Sequence, residues 1–232
     1  MNYAIIAAGE GSRLIQEGVN SPKPLVCVQG VPLIDRLVSL FIRCGASSVH
    51  AIVNEEMREV QDYLRSRHYP VPFHLTVKST PSSMHSFYEL MPYLGEEVCL
   101  ATVDTVFRED EFGRYVDAFR HEEEADGLMA VTGYVDDEKP LYVHTTGEDG
   151  MIDGFSDCPD GGSRFVSGGL YCLKRPAFDV LEEAVRQGVS RMRNYQRLLL
   201  ERGLKLKAYP FSKIIDVDHA ADIVKAEQFL NL

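Results

Sequence analysis

No apolar run in this chain approaches the roughly 18 residues that a membrane-spanning helix requires, so no membrane partner is expected. The start, MNYAIIAAGEG, carries no basic leader. Its apolar stretch from Ala4 to Ala8 is only five residues long before the first glycine, and no signal peptide is expected from it. Cysteine is sparse: Cys27, Cys44, Cys99, Cys158 and Cys172 are scattered, odd in number and never spaced as CxxC. They read as reduced, buried thiols of a cytoplasmic protein, not as a zinc site or a disulfide framework. The seven histidines, His85 and His219 among them, show no metal-ligand spacing and are expected at the surface or at helix caps. Positive charge is also short, with 24 basic against 35 acidic residues and a net charge of −11. Such a chain is poorly suited to a nucleic-acid backbone or an anionic lipid surface. If it binds phosphate, the site must be a local pocket, assisted by a divalent cation.

What is present fits one large domain over residues 1–232, since 45% hydrophobic residues in a chain of 232 can bury a substantial core. Strands are predicted at 3–8, 48–54, 73–78, 97–104 and 127–135. Helices are predicted at 32–44, 55–67, 84–94, with Ser82 or Ser83 as N-cap, and 109–124. That alternation implies a mainly parallel sheet flanked by helices, a single Rossmann-like α/β domain. The alternation then weakens. LYVHTT, MIDGF and RFVSGGLYCL, separated by turn sequences such as GEDG and PDGG, are expected to form a small antiparallel extension of the sheet. Helices at 176–188 and 193–203, strands at 204–211 and 213–218, and a closing helix at 219–230 complete the pattern. In sheets of this kind ligands bind beyond the carboxyl ends of the strands, so the loop after 3–8 and Asp104 should share one edge.

The loop after the first strand reads AAGEGSRL, and nine residues separate its Arg13 from Lys23, which stands between Pro22 and Pro24. A glycine-rich turn leaving a strand commonly cradles phosphates with its N–H groups. The P-loop spacing is absent, because no Gly-Lys-Ser or Gly-Lys-Thr follows. The dinucleotide pattern GxGxxG fails as well, because Leu14 stands where the third glycine belongs, which argues against a nicotinamide dehydrogenase. Two prolines restrict the backbone around Lys23, and a merely solvated lysine needs no such restraint.

AAGEGSRL followed by SPKPLV resembles the signature of nucleotidyltransferases that join a nucleoside triphosphate to a sugar 1-phosphate or a phosphorylated alcohol. The resemblance implies that family's glycosyltransferase-A-like NTP transferase fold. It also implies a loop of Ala7, Ala8, Gly9, Gly11 and Ser12 wrapped around the triphosphate, with Arg13 and Lys23 as the catalytic cations. Further along, TPSSMHSFYEL resembles the segment that meets the base, which points to Ser82 and Ser83. ATVDTVF resembles the strand ending in a metal-binding aspartate, here Asp104. FVSGGLYCL resembles the strand lining the sugar, here Gly168, Gly169 and Tyr171, and KIIDVDHAAD resembles the terminal strand and helix. There Asp216 would be the second ligand of Mg²⁺, with Asp218 next in line. Read by themselves, Asp104 ends a strand, Asp216 and Asp218 complement a helix dipole, and Gly168-Gly169 is a bulge. Their joint occurrence in the family's order carries the site reading.

Two anionic reactants explain the demand for cations, because unit charges about 4 Å apart repel by roughly 4 kcal/mol at an effective dielectric near 20. Mg²⁺ on carboxylates and phosphate oxygens would offset this. The sugar enzymes carry a Glu-Lys pair whose lysine holds the acceptor phosphate. The corresponding MIDGFSDC has no lysine, leaving Arg164, Lys174 or Lys213 as substitutes. The expected partners are an NTP and a phosphorylated acceptor, sugar 1-phosphate first and phosphocholine or a similar alcohol phosphate second. A nucleotide-binding regulator that has lost the reaction is the rival class. No long C-terminal extension is expected beyond the closing helix, and with that a single activity is expected.

Overall fold

The computed structural model of the protein describes residues 1–147, 149–159 and 163–231. The first half runs β1 (Asn2–Ala7), α1 (Ser12–Gln16), β2 (Cys27–Val28), β3 (Val31–Pro32), α2 (Leu33–Arg43), β4 (Ser48–Val53), α3 (Arg58–Ser66), β5 (Phe73–Val77), α4 (Ser83–Leu90), β6 (Glu97–Thr102), β7 (Thr105–Val106) and α5 (Glu109–Arg120). The second half adds β8 (Gly127–Thr132), β9 (Tyr142–Thr146), β10 (Met151–Ser156), β11 (Phe165–Lys174), α6 (Arg175–Arg186), α7 (Met192–Glu201), β12 (Leu206–Phe211), β13 (Ile215–Asp216) and α8 (Ala220–Leu230). Nine strands form one mixed sheet in the order β5-β4-β1-β6-β11-β8-β12-β10-β9, flanked by helices, and the protein is an α/β fold. No helix among the described residues is long and apolar enough to cross a membrane.

The central strands are apolar on both faces because both faces are covered. Along β1, Tyr3, Ile5 and Ala7 pack into one layer with Leu37 and Phe41 of α2, Phe112 and Phe119 of α5 and Phe229 of α8. Ala4 and Ile6 face the other layer, against Phe87 of α4, Phe178 of α6 and Tyr195 of α7. The two-residue period of the strand thus builds two cores, and each fully buried large side chain in them contributes about 1.5–3 kcal/mol.

The sequence reading needs correction at several places. RFVSGGLYCL is not part of an edge extension. As β11 it lies in the middle of the sheet, antiparallel to both β6 and β8, and only β9 and β10 form the edge hairpin. Gly168 and Gly169 fall in a register shift of β11 against β8, between Ser167 and Tyr171, which is the bulge. The helix expected at 55–67 begins at Arg58, because Asn54 Oδ1 accepts the Glu56 N–H at 2.9 Å and turns the chain first. The helix expected at 84–94 ends at Leu90, where Pro92 forces a 3₁₀ turn. The terminal strand expected at 213–218 shortens to β13. The β2–β3 hairpin was not anticipated; its turn places Gln29 and Gly30 at φ 52 and 74. The PDGG turn lies mostly outside the described residues. All five thiols are free, but Cys27 and Cys158 are exposed, not buried.

Gly169 is required by its backbone. It sits at φ +71, and a Cβ there would lie 2.6 Å from Thr105 Oγ1 and 2.7 Å from Thr102 Oγ1. Gly169→Ala should destabilise the fold by about 2 kcal/mol or more, read as a lower urea midpoint. Gly113→Ala is the control. Gly113 is inside α5 with open space around it, and alanine there should stabilise by about 0.5–1 kcal/mol. Equal effects at the two sites would refute the assignment.

His50 on β4 is buried and stacks on His74 at 4.7 Å. Its Nε2 meets Ser48 Oγ at 2.8 Å, and its Nδ1 has no hydrogen-bond partner among the described residues. Burial, and then the neighbouring His74, push it down from 6.5 to about 4. The unfolded chain therefore binds this proton more readily. The stability it contributes is full above pH 6.5 and is lost as pH falls toward 4, the loss reaching about 2.5 kcal/mol by pH 4.5. His50→Gln should flatten that acid limb in thermal melts; an unchanged limb would assign it to other groups.

Candidate active site

Strands β4, β1, β6 and β5 are parallel where they adjoin, so their carboxyl ends share one edge. The segments leaving them enclose a cleft of about 730 Å³. Ala8, Gly9, Glu10, Gly11 and Ser12 line it after β1, Asn54 after β4, Thr80 to Ser83 after β5, and Asp104 after β6. Antiparallel β11 brings Gly169 and Tyr171 to the same cleft, and the start of α7 brings Arg191 and Arg193.

The loop and Lys23 are built as a unit. Gly11 caps α1 in the left-handed conformation at φ +63, and a Cβ there would fall 2.9 Å from the Cβ of Lys23. The missing side chain lets the lysine stem pack against the loop. Lys23 opens a 3₁₀ turn between its two prolines, and its side chain is 8% exposed. Its ammonium donates to Asp104 Oδ2 and to Asp218 Oδ1, each at 2.5 Å. Burial alone would lower the lysine pKa, but the two carboxylates outweigh it and hold the pKa well above its ordinary value. Burial would likewise raise Asp104, and the lysine beside it holds it below the usual carboxylate range. Arg13 donates to Asp218 Oδ2 at 3.0 Å and approaches Glu138 at 3.3 Å.

Asp104 and the Asp216–Asp218 segment, distant in sequence, are brought together by a two-stranded ribbon. Thr105 of β7 pairs with Asp216 of β13, and the Val217 N–H donates to the Asp104 carbonyl at 3.0 Å. Thr105 Oγ1 donates to Asp216 Oδ1 at 3.3 Å. Burial first, and the Asp104 charge second, push Asp216 up to about 8. The cleft is lined by four cations (Arg13, Lys23, Arg191, Arg193) against five carboxylates (Glu10, Asp104, Asp137, Asp216, Asp218). A bound triphosphate would therefore leave a large uncompensated negative charge.

Arg191 carries the other unusual feature. It is the N-cap of α7 at φ 73 and ψ 140, a conformation that costs a non-glycine residue about 1–3 kcal/mol. Its N–H donates to Ser82 Oγ at 3.1 Å.

Residues 3–199 match the MobA-like NTP transferase domain. The chain belongs to that family. The bifunctional protein GlmU of Methanococcus maripaludis strain C5 is 22% identical over 241 residues, covering 100% of this chain and 55% of GlmU, so the chain spans about half the length of that curated relative. A 2-aminoethylphosphonate cytidylyltransferase of Lancefieldella rimae is 33% identical over 69 residues, which is 30% of this chain and 27% of the relative. The solved inositol-1-phosphate CTP transferase from T. maritima superposes with a TM-score of 0.83 at 17% identity, over 99% of this chain and 94% of that one, a likeness of fold.

The NTP transferase domain gathers most of the residues singled out from sequence into one cleft, but three stand apart. Ala7 is buried within β1. Gly168 backs onto Ile214 and lines a smaller cavity of about 50 Å³ beside Arg13. Lys213 lies over the Tyr134 ring at 3.8 Å and does not line the cleft. Of its alternatives, Lys174 donates to the Glu122 carbonyl at the opposite end of β11 from the glycine bulge, and Arg164 is exposed outside the cleft. Ser82 occupies the N-cap of α4, yet its hydroxyl meets the Arg191 N–H and His85 Nδ1 instead of capping that helix. Sequence reasoning missed Asn54, Arg191, Arg193 and Gln196, which line the cleft without belonging to any recognised motif, and passed over Thr80 at the head of TPSSMHSFYEL. The only local signal is Asn54, a polar residue closing an otherwise buried strand.

Proposed function

We propose that this protein transfers a nucleoside monophosphate from an NTP to a phosphorylated small molecule, with a sugar 1-phosphate as first choice of acceptor. An oxygen of the acceptor phosphate attacks the α-phosphorus. The bond to the leaving oxygen breaks, and its electron pair departs on pyrophosphate. Little acid–base chemistry is needed, since positioning and electrostatics carry such transfers. The observation that supports this best is the convergence of the glycine loop, Arg13 and Lys23 with Asp104, Asp216 and Asp218 in one cleft. The N–H groups of the loop would cradle the phosphates, and Arg13 and Lys23 would face the charge developing on the transferring group.

The carboxylates fit Mg²⁺. Among the described residues no cluster of three or more His, Cys, Asp or Glu forms a closed cage, but Mg²⁺ is ordinarily held by one or two carboxylates with phosphate oxygens and water. Asp104 and Asp216, with Asp218 adjacent, would hold it. Bound there, the ion would offset the charge of the triphosphate.

The test is pyrophosphate release from a matrix of NTPs and acceptors with Mg²⁺. Turnover of at least one pair, abolished by chelation, is expected. NTP binding without turnover of any pair would select the regulatory relative instead.

A further inference from the structure

The cations of the cleft are not equally engaged. Lys23 holds Asp104 and Asp218, Arg13 holds Asp218 and Glu138, and Arg193 donates to Asp157 at 2.6 Å and to the Lys139 carbonyl at 2.7 Å. The Arg191 guanidinium has no hydrogen-bond or ion-pair partner among the described residues. Its backbone is nevertheless fixed at both ends. The N–H reaches Ser82 across the cleft, and the carbonyl accepts the N–H groups of Asn194 and Tyr195 at 3.2 and 3.3 Å. The chain thus holds an arginine in a conformation suited to glycine, and presents its free cation to the cleft.

Arg191 and Arg193 also line a second cavity of about 550 Å³ and so border both spaces. Its carboxylates are already engaged. Asp157 is held by Arg193 and by Arg197 at 2.8 Å, and Glu138 faces Arg13. Among the described residues lining it, Lys139, Arg191, Arg193 and Arg197 outnumber Glu138 and Asp157, and both of these carboxylates are already paired. Resting on the nucleotidyl-transfer reading, we propose that Arg191 anchors the acceptor through an anionic group. The acceptor is accordingly a phosphorylated sugar, polyol or hydroxy acid, not a phosphorylated amine. The planar fork of arginine suits a phosphate or carboxylate, whereas an ammonium group would enter a surplus of like charge.

Two variants separate the side chain from the fold. Arg191→Gly removes the cation and relieves the backbone, so its melting temperature should hold or rise. Arg191→Lys keeps the charge without the fork. With glucose 1-phosphate, glycerol 3-phosphate, phosphocholine and 2-aminoethylphosphonate as acceptor probes, the glycine variant should raise the KM of the accepted probe by about 10- to 100-fold. It should leave the KM for NTP unchanged, and lysine should recover part of the loss. An unchanged acceptor KM, or a preference of the unaltered protein for phosphocholine or 2-aminoethylphosphonate, would overturn the proposal. Calorimetric titration with NTP and Mg²⁺ distinguishes its failure from that of its premise. No NTP binding overturns both, and intact NTP binding with an unaltered acceptor KM overturns this inference alone.

Discussion

Lys23→Met is expected to cut nucleotidyl transfer by about 10³-fold, as loss of a cation aimed at developing charge does. The same variant should destabilise the fold in metal-free buffer by about 3–5 kcal/mol, the usual cost of stranding a buried charge partner. The second effect follows from the ion-pair geometry. The lysine is the shared partner of Asp104 and Asp218, and burial first, with the Asp104 charge second, keeps the proton on Asp216 up to about pH 8. Methionine fills the volume of the stem but leaves the carboxylates facing one another. Divalent cation should then restore stability: at 100 times its dissociation constant a ligand of the native state contributes about 2.7 kcal/mol. Melting curves of wild type and variant with and without Mg²⁺ read this directly. A variant that melts like wild type in chelator would show that the lysine does not hold the carboxylates apart.

Much of this arrangement is legible in the sequence where local chemistry decides it. YAIIA, SVHAIV and VCLA can only be strands buried on both faces, and Gly9, Gly11, Arg13, Pro22, Lys23 and Pro24 announce a loop that approaches an anion. What was not legible depends on partners distant along the chain. Nothing in FVSGGLYCLK tells whether it lies at an edge or at the centre, because that is fixed by β6 and β8. Lys213 lies three residues before Asp216 and reads as a cleft cation, but Tyr134 and Phe229 offer its ammonium aromatic faces away from the cleft. Arg191 has no motif around it; its importance comes from Ser82, 109 residues earlier, and from a backbone conformation that sequence does not encode locally. Nor does the sequence show that Lys23 and Arg13 both bind Asp218 while Asp216 contacts Thr105, since these partners meet only through the β7–β13 ribbon.

Asp104→Asn should separate activity from stability more cleanly than the lysine variant, and the contrast tests the site as a whole. Asparagine keeps the shape and can still accept from Lys23, whose second carboxylate partner, Asp218, remains at 2.5 Å. One negative charge leaves the carboxylate cluster beside Asp216, so repulsion on Asp216 falls and its carboxyl should titrate below about 8. Stability in metal-free buffer should fall, because the folded chain favours the charged Asp104, but by less than in Lys23→Met, since Lys23 keeps Asp218. Activity should fall by about 10³-fold through loss of a carboxylate placed to hold Mg²⁺. A loss of activity far larger than the loss of stability marks a group placed for its chemistry. If Asp104→Asn instead destabilises the protein as much as Lys23→Met while sparing turnover, the aspartate is only a structural partner of the lysine. The carboxylate edge of the sheet would then have to be sought elsewhere.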